Sequence, residues 1–407
     1  MKTEGERKQM KTIMILGGTP FQLPVIKKAL EMGLRVVVAD WNPEAIGFKE
    51  EGVIPEVMSI IDDEAVLAAA KKHKIDGILT ICTDTPVRTI AKVVSELNLP
   101  GITEEAAFRC TDKAAMRTRW KECGIPIPKF YNVTTKDEYL EAVSHFPEKC
   151  VVKAVDNSGS RGIQLIYDVT DQAKVEEAFD YCKQFSRSGE LVVEEFMEGP
   201  EVCVETLNQH GVCYPIQITD QLAKEPPYFT DCGYNQPTLL PDEIASEIRK
   251  ITAAANIALG NSDGSSCTEL IITKDGPKVV ELGPRLGADG VTTVMVPLST
   301  GISMVENVIK IALGEEIDIN PKYTKGSCIR YFMKPVIGKI KEFRGLEEAA
   351  AVEGITDVTM LKQPGDMAVE LRGSPDRIGF VVAQMDTPEE AIRQCEKALD
   401  LIEVVVE

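Results

Sequence analysis

The sequence predicts an α/β protein of three units. They are an N-terminal parallel-sheet α/β domain over residues 1–110, a central α+β unit over 111–320 and a C-terminal α+β domain over 321–407. Three observations lead there. Through the first hundred residues, β-branched runs alternate with segments of helical period, the rhythm of a parallel sheet covered on both faces. Further on, strands follow one another through short turns, one of them rich in Ser and Gly. After Ile317-Asp318-Ile319-Asn320-Pro321 the chain becomes a series of short strands with two helices.

In the first unit, residues 12–16 form an apolar strand and Gly17-Gly18-Thr19-Pro20 a turn. Val25, Ile26, Ala29 and Leu30 recur with helical period until Gly33 stops the helix. Residues 34–39 are a second strand ending at Asp40. Asp62 and Asp63 start a helix that ends near His73, and residues 76–82 are a strand. Val87, Ile90, Ala91, Val94 and Leu97 mark the next helix. Ligands of such a sheet gather at the carboxyl ends of its strands, near Gly17, Asp40 and Asp84. Gly17-Gly18 is not the dinucleotide fingerprint, so an NAD-binding oxidoreductase is disfavoured. Asp84 is either an N-cap or a substrate contact.

The balance of 45 Lys and Arg against 64 Asp and Glu gives a net charge of −19. That argues against a general affinity for nucleic acid or anionic membranes, though not against one local basic pocket for a small anion. No apolar run approaches a membrane span, and residues 1–10 read as a charged tail without a signal-peptide core. The 11 cysteines show no CxxC and leave one over from any full pairing, which fits buried thiols in a reducing cytoplasm. His73, His145 and His210 are too scattered for a zinc site.

The central unit carries the chemistry. A helix opens at Asp112-Lys113 and runs to Cys123, before Gly124-Ile125-Pro126. Strands at 149–155 and 163–167 flank Asn157-Ser158-Gly159-Ser160-Arg161-Gly162, a turn able to fold backbone N–H groups over phosphates. Lys153, inside the first of these strands, either meets an anion there or snorkels to solvent. A strand over 191–196 ends in Glu194 and Glu195, and a strand over 201–208 begins at Glu201. Residues 268–273 and 277–282 form a hairpin. A three-residue loop through Lys274-Asp275-Gly276 sets Glu269 opposite Glu281, whereas a two-residue Asp-Gly turn puts them on opposite faces. Opposed carboxylates destabilise a sheet unless neutralised, and Mg²⁺ is a natural neutraliser. Arg285, just past the hairpin, either balances these carboxylates or clamps a phosphoryl oxygen.

Together these segments resemble an ATP-grasp enzyme of the carboxylate–amine ligase type. The resemblance covers nearly the whole chain, and VEEFMEGPEV (193–202) is its most specific part. It implies that Lys113 and Lys153 contact ATP phosphates and that the mobile loop Ser158, Gly159, Ser160 and Gly162 lies over them. It also implies that Glu194, Glu195 and Met197 hold adenine, that Glu201 holds the ribose and that Glu269 and Glu281 bind Mg²⁺, with Mn²⁺ as an alternative. Arg285 then stands at the reacting phosphoryl group. The pattern usually has Asn where this chain has Gly283, which leaves out one metal ligand. The C-terminal unit, with strands expected at 327–334, 338–341, 356–361, 367–371 and 377–385 and helices near Glu347 and over 389–401, resembles that of L-amino acid ligases and purine-pathway members. Residues 226–241 resemble their loop over the acceptor site. Arg330 is there a carboxylate ligand, or else a strand-surface Arg.

The activity implied is ATP-dependent joining of a carboxylate to an amine through an acylphosphate, with small-molecule carboxylate and amine partners; a homodimer is compatible with it. Two other readings stay open: a phosphoribosylamine–glycine ligase-like enzyme, and an ATP-binding sensor without turnover.

Overall fold

The computed structural model describes residues 10–157, 162–223 and 230–407. The chain opens with β1 (Thr12–Leu16), α1 (Leu23–Glu31), β2 (Arg35–Asp40), β3 (Val53–Val57), α2 (Asp63–His73), β4 (Gly77–Leu79) and α3 (Val87–Leu97). Its strands pair in parallel in the order β3-β2-β1-β4. The sequence expectation omitted β3, whose Pro55 is tolerated because the strand lies at the sheet edge. The strand expected at 76–82 is only three residues long, and Cys82 to Asp84 form a loop beyond it. Asp40 closes the Gly17-Gly18 turn: its carboxylate accepts from Gly18 N at 2.7 Å and from Asn42 N at 2.8 Å.

Next come α4 (Glu104–Thr111), α5 (Lys113–Glu122), β5 (Phe130–Val133), α6 (Lys136–Ser144), β6 (Cys150–Ala154), β7 (Ile163–Ile166), α7 (Gln172–Phe185) and β8 (Leu191–Glu195). The four strands form an antiparallel sheet, β5-β8-β6-β7, whose apolar face packs on Tyr139, Val143, Val175 and Phe179 of α6 and α7.

The rest of the central unit is β9 (Glu201–Gln209), β10 (Val212–Ala223), β11 (Asp231–Gln236), α8 (Asp242–Leu259), β12 (Gly264–Thr273), β13 (Gly276–Gly283), α9 (Val296–Thr300) and α10 (Met304–Ala312). It continues into β14 (Gly326–Tyr331), β15 (Gly338–Arg344), α11 (Leu346–Ala350), β16 (Ile355–Met360), β17 (Met367–Ala368), β18 (Gly379–Met385), α12 (Pro388–Leu401) and β19 (Glu403–Val406). One eight-stranded sheet, β13-β12-β9-β10-β11-β14-β18-β16, crosses the expected boundary at 320/321 through the β11–β14 pairing, with Tyr234 opposite Ile329. The segment expected as a loop over 226–241 therefore contains a central strand, while its Pro226 to Phe229 part lies outside the described residues.

Alternation along β9 decides what faces the site. Val202 and Val204 pack with Trp120 of α5 and Ile248, Ala255 and Leu259 of α8, which turns Glu201, Cys203 and Glu205 to the other face. Helix α10 shares a core with β1 and α1, where Val305 and Ile309 meet Ile13 and Val25, and so fixes the first unit beside that face. No single helix among the described residues is long and apolar enough to cross a membrane. None of the 11 cysteines is in a disulfide.

Candidate active site

Glu269 on β12 and Glu281 on β13 stand directly opposite each other, but not through the expected three-residue loop. The hairpin turns through Lys274-Asp275, with Thr273 opposite Gly276. That register alone would set Glu269 against Val280 and send Glu281 to the far face. A bulge at Val280 inserts one residue between the Leu270–Val279 and Glu269–Glu281 pairs and restores the match. Arg117 of α5 fastens the bulge by donating Nη2 to the Val280 carbonyl.

Three cross-strand rows follow on this face: Glu201 with Ile271 and Lys278, Cys203 with Glu269 and Glu281, and Glu205 with Cys267 and Gly283. Successive rows are about 7 Å apart, the span of two strand residues. Burial first, then Glu281, pushes Glu269 up to about 8. Burial would also raise Glu281, but Lys113 overrides it and holds that carboxyl low. Two opposed carboxylates of which only one is neutralised by a lysine fit a divalent cation with oxygen ligands.

The cations come from α5 and β6. Asp112 caps α5 by accepting from Ala115 N at 2.9 Å. Lys113, at the first helical position, lies 2.9 Å from Glu281 Oε1 and donates to Asn157 O at 2.7 Å. Burial works against its charge, yet Glu281 outweighs that and raises its pKa. One turn on, Arg117 donates to Glu194 Oε1 at 2.6 Å, and Lys153 lies 2.8 Å from Glu194 Oε2. Burial alone would raise Glu194, but the two cations hold it at about 2.

The geometry qualifies the expectation that Glu194 holds adenine. Its side chain is 2% exposed and both oxygens are taken by Arg117 and Lys153, so it positions Lys153. Glu195 is exposed enough to pair with Lys278 at 3.1 Å and accepts from Lys129 N at 3.1 Å. Met197 is half-buried just past β8. Glu201 starts β9, its pKa raised by burial and by Asp231. Gly162 has φ +70° and accepts from Ala154 N at 2.9 Å; a Cβ there would stand 2.6 Å from Phe185 Cβ, so only glycine fits. Ser158, Gly159 and Ser160 lie outside the described residues.

Arg285 Nε lies 3.2 Å from Asp84 Oδ1, an ion pair without a well-directed hydrogen bond. The first unit is tied to this point by Cys82 N donating to Leu286 O at 3.0 Å. A Cβ on Gly283 would stand 2.9 Å from Asp84 Oδ1 and 3.1 Å from Arg285 Cζ, so this pair fills the room a larger residue would need. Arg330 is buried, with Nη1 donating to Tyr234 O and Ile329 O, both at 3.0 Å, and Nη2 to Asn235 Oδ1 at 3.3 Å. Its guanidinium is thus committed within the sheet rather than presented on a strand surface. Sequence reasoning missed Arg377, which lies 2.7 Å from Asp289 Oδ2, donates to Asp231 O at 3.0 Å and stacks 3.9 Å over Tyr331. It also missed Arg117 and Glu205. Arg117 follows Lys113 by four helical positions, and Glu205 continues the period-two alternation from Glu201; both signals were present.

If Glu281 is a metal ligand, Glu281→Gln should raise the Mg²⁺ concentration needed for half-maximal activity, and because it also removes the charge partner of buried Lys113 it should lower the thermal unfolding midpoint. A Mg²⁺ titration of activity checks this.

Two family descriptions match the chain: an ATP-grasp domain over residues 146–294 and an L-amino acid ligase C-terminal domain 2 over residues 330–407. An uncharacterized protein of Sinorhizobium fredii, y4rH, is 28% identical over 334 residues, 82% of this chain and 69% of that protein. The L-arginine-specific L-amino acid ligase of Bacillus subtilis is 24% identical over 328 residues, 77% of this chain and 78% of that one. In fold, the chain is similar to the L-amino acid ligase from Bacillus licheniformis, with a TM-score of 0.80, 24% identity, and coverage of 98% of this chain and 99% of that one. It is also similar to phosphoribosylglycinamide synthetase from Anaerococcus prevotii, with a TM-score of 0.78, 22% identity, and coverage of 98% and 100%.

Proposed function

Because the chain carries an ATP-grasp domain followed by an L-amino acid ligase C-terminal domain, we propose that it is an ATP-dependent ligase joining a carboxylate to the amine of an amino acid, with release of ADP and phosphate. The observation that carries this reading is the Glu269–Glu281 pair on one face, with Lys113 bound to Glu281 and Lys153 and Arg285 close enough for their charges to act on it. The names of relatives that join amino acids support the choice of amine. The 11 free thiols, seven of them buried, fit a reducing, cytoplasmic setting.

The substrate carboxylate oxygen attacks the γ-phosphorus of ATP, and the bond to the ADP oxygen breaks. The amine nitrogen then attacks the acyl carbon, and phosphate leaves. The protein does little covalent work here; it aligns the groups and neutralises charge. Lys113 and Lys153 hold phosphate oxygens, with Lys153 steered by Glu194. Arg285 meets the charge that moves with the phosphoryl group. Glu269 and Glu281 would hold Mg²⁺, which screens the phosphates when bound. The ion pair with Asp84 keeps Arg285 in place between turnovers.

Glu201 holds the ribose in ground and transition states alike, so Glu201→Ala should raise KM for ATP more than it lowers kcat. Steady-state kinetics against ATP check this. The reaction itself is tested by a phosphate-release screen over pairs of carboxylates and amino acids with ATP and Mg²⁺. Release that requires both partners supports the ligase. ATP binding with no carboxylate-dependent release points to a sensor.

A further inference from the structure

One row beyond the Glu269–Glu281 pair stands a carboxylate that the mechanism above does not use. Glu205 is 0% exposed, and neither of its oxygens has a hydrogen-bond partner of good geometry. A buried carboxylate left this way is costly and calls for a partner that comes and goes. The groups around it supply only weak partners: burial outweighs what the Cys203 and Cys267 thiols, the Arg285 charge and the Gly287 N–H do to favour its charged form. Cys203 and Cys267 offer thiols, all three ligand atoms lying within 4.8 Å of one another. Gln217, opposite on β10, donates its amide to Ser299 and accepts from Ile218 N. Arg285, the nearby cation, is paired with Asp84. Cys82 faces the same space and is neutral, its thiol pushed up to about 12 by burial. The Gly287 backbone approaches the carboxylate closely: a Cβ there would stand 3.2 Å from Glu205 Oε2, tighter than ordinary contact, so glycine keeps a side chain from crowding the group.

We infer that Glu205 receives the acceptor substrate, a primary aliphatic ammonium, and takes the proton that must leave before its nitrogen can attack. The inference deepens the ligase reading and rests on it. The placement fits the proposed roles: Glu201, the Glu269–Glu281 pair and Glu205 occupy successive rows, the order that nucleotide, metal and acceptor would take. Burial raises the Glu205 carboxyl to about 7, where one group can both accept and release a proton at neutral pH. The step balances. One N–H proton passes to the Glu205 carboxylate and frees the nitrogen lone pair. The N–C bond forms as the bond from the acyl carbon to the phosphate oxygen breaks, and phosphate leaves with that electron pair. The nitrogen's second proton goes to the departing phosphate, and Glu205 returns its proton to solvent before the next turnover.

Hydroxylamine provides the test, because it is largely uncharged at neutral pH and needs no base before attack. Wild-type protein and Glu205→Gln are assayed with ATP, Mg²⁺ and the carboxylate, against either an amino acid or hydroxylamine. The expected result is a loss of about 100-fold or more in amide formation with the amino acid, with hydroxamate formation kept near the wild-type rate. Equal loss of both reactions at an unchanged unfolding midpoint overturns the proposal, as does loss of neither. If the Gln variant unfolds, Glu205→Asp carries the same comparison and must slow the amino acid reaction more than the hydroxylamine one. Stoichiometric zinc retained by the purified wild type and lost in Glu205→Gln makes Glu205 a metal ligand and also overturns the proposal. Failure of the ligase reading looks different: the wild type then forms no hydroxamate with any carboxylate, and the proposal falls with it.

Discussion

Arg285→Ala is expected to lower kcat by about 10²- to 10³-fold, the scale for one lost preorganised donor, while ATP affinity changes far less. Arg285 faces the Asp84 side of the site, whereas Lys113 and Lys153 are anchored from α5 and β6, so in the proposed mechanism they hold the nucleotide without it. Burial opposes the guanidinium charge and Asp84 more than offsets that, so the cation is in place before substrate arrives. Pre-turnover nucleotide titration and steady-state kinetics on the same variant separate the two effects. A variant with full kcat would remove Arg285 from the mechanism and leave the fold untouched.

Arg117→Ala should cost about 3–5 kcal/mol of stability, the scale for breaking a buried ion pair by removing one partner. Arg117 is 1% exposed and joins Glu194 to the bulge at Val280. Its loss leaves Glu194 buried with Lys153 alone and unties the residue that sets the Glu269–Glu281 register. The pH dependence follows from the sign of the Glu194 shift. Its folded value of about 2 lies below the ordinary 4.5, so its contribution is complete above pH 4.5 and is lost as pH falls toward 2. Without Arg117 the folded value rises, and that loss begins at higher pH. Denaturant unfolding of both proteins at neutral and acid pH measures the cost and the shift together.

What the sequence made legible was local. The alternation of β-branched runs with helical periods placed β1, α1, β2, α2 and α3, because each strand and helix announces its own period. VEEFMEGPEV pointed to the candidate site through its resemblance to a family motif, and the two hairpin glutamates through their expected register. The missing parts depend on long-range partners. The Glu269–Glu281 pairing was expected from a three-residue loop but comes from a two-residue turn plus a bulge, and the bulge is held by Arg117, some 160 residues away. Asp231–Gln236 read as part of a loop because only its pairing with β10 and β14 makes it a strand. Arg377 reaches Asp289 from beyond the central unit, a meeting no local pattern records. Glu194 was expected at adenine by position in the motif, but its burial between two cations is a tertiary fact.

The central claim is that a substrate carboxylate is phosphorylated by ATP before the amine arrives. Its most direct test uses a carboxylate substrate labelled with ¹⁸O and follows the phosphorus products by ³¹P NMR, once a reactive pair is in hand. The account predicts ADP and inorganic phosphate, with one carboxylate ¹⁸O carried into the phosphate. AMP and pyrophosphate, or phosphate free of the label, would contradict it.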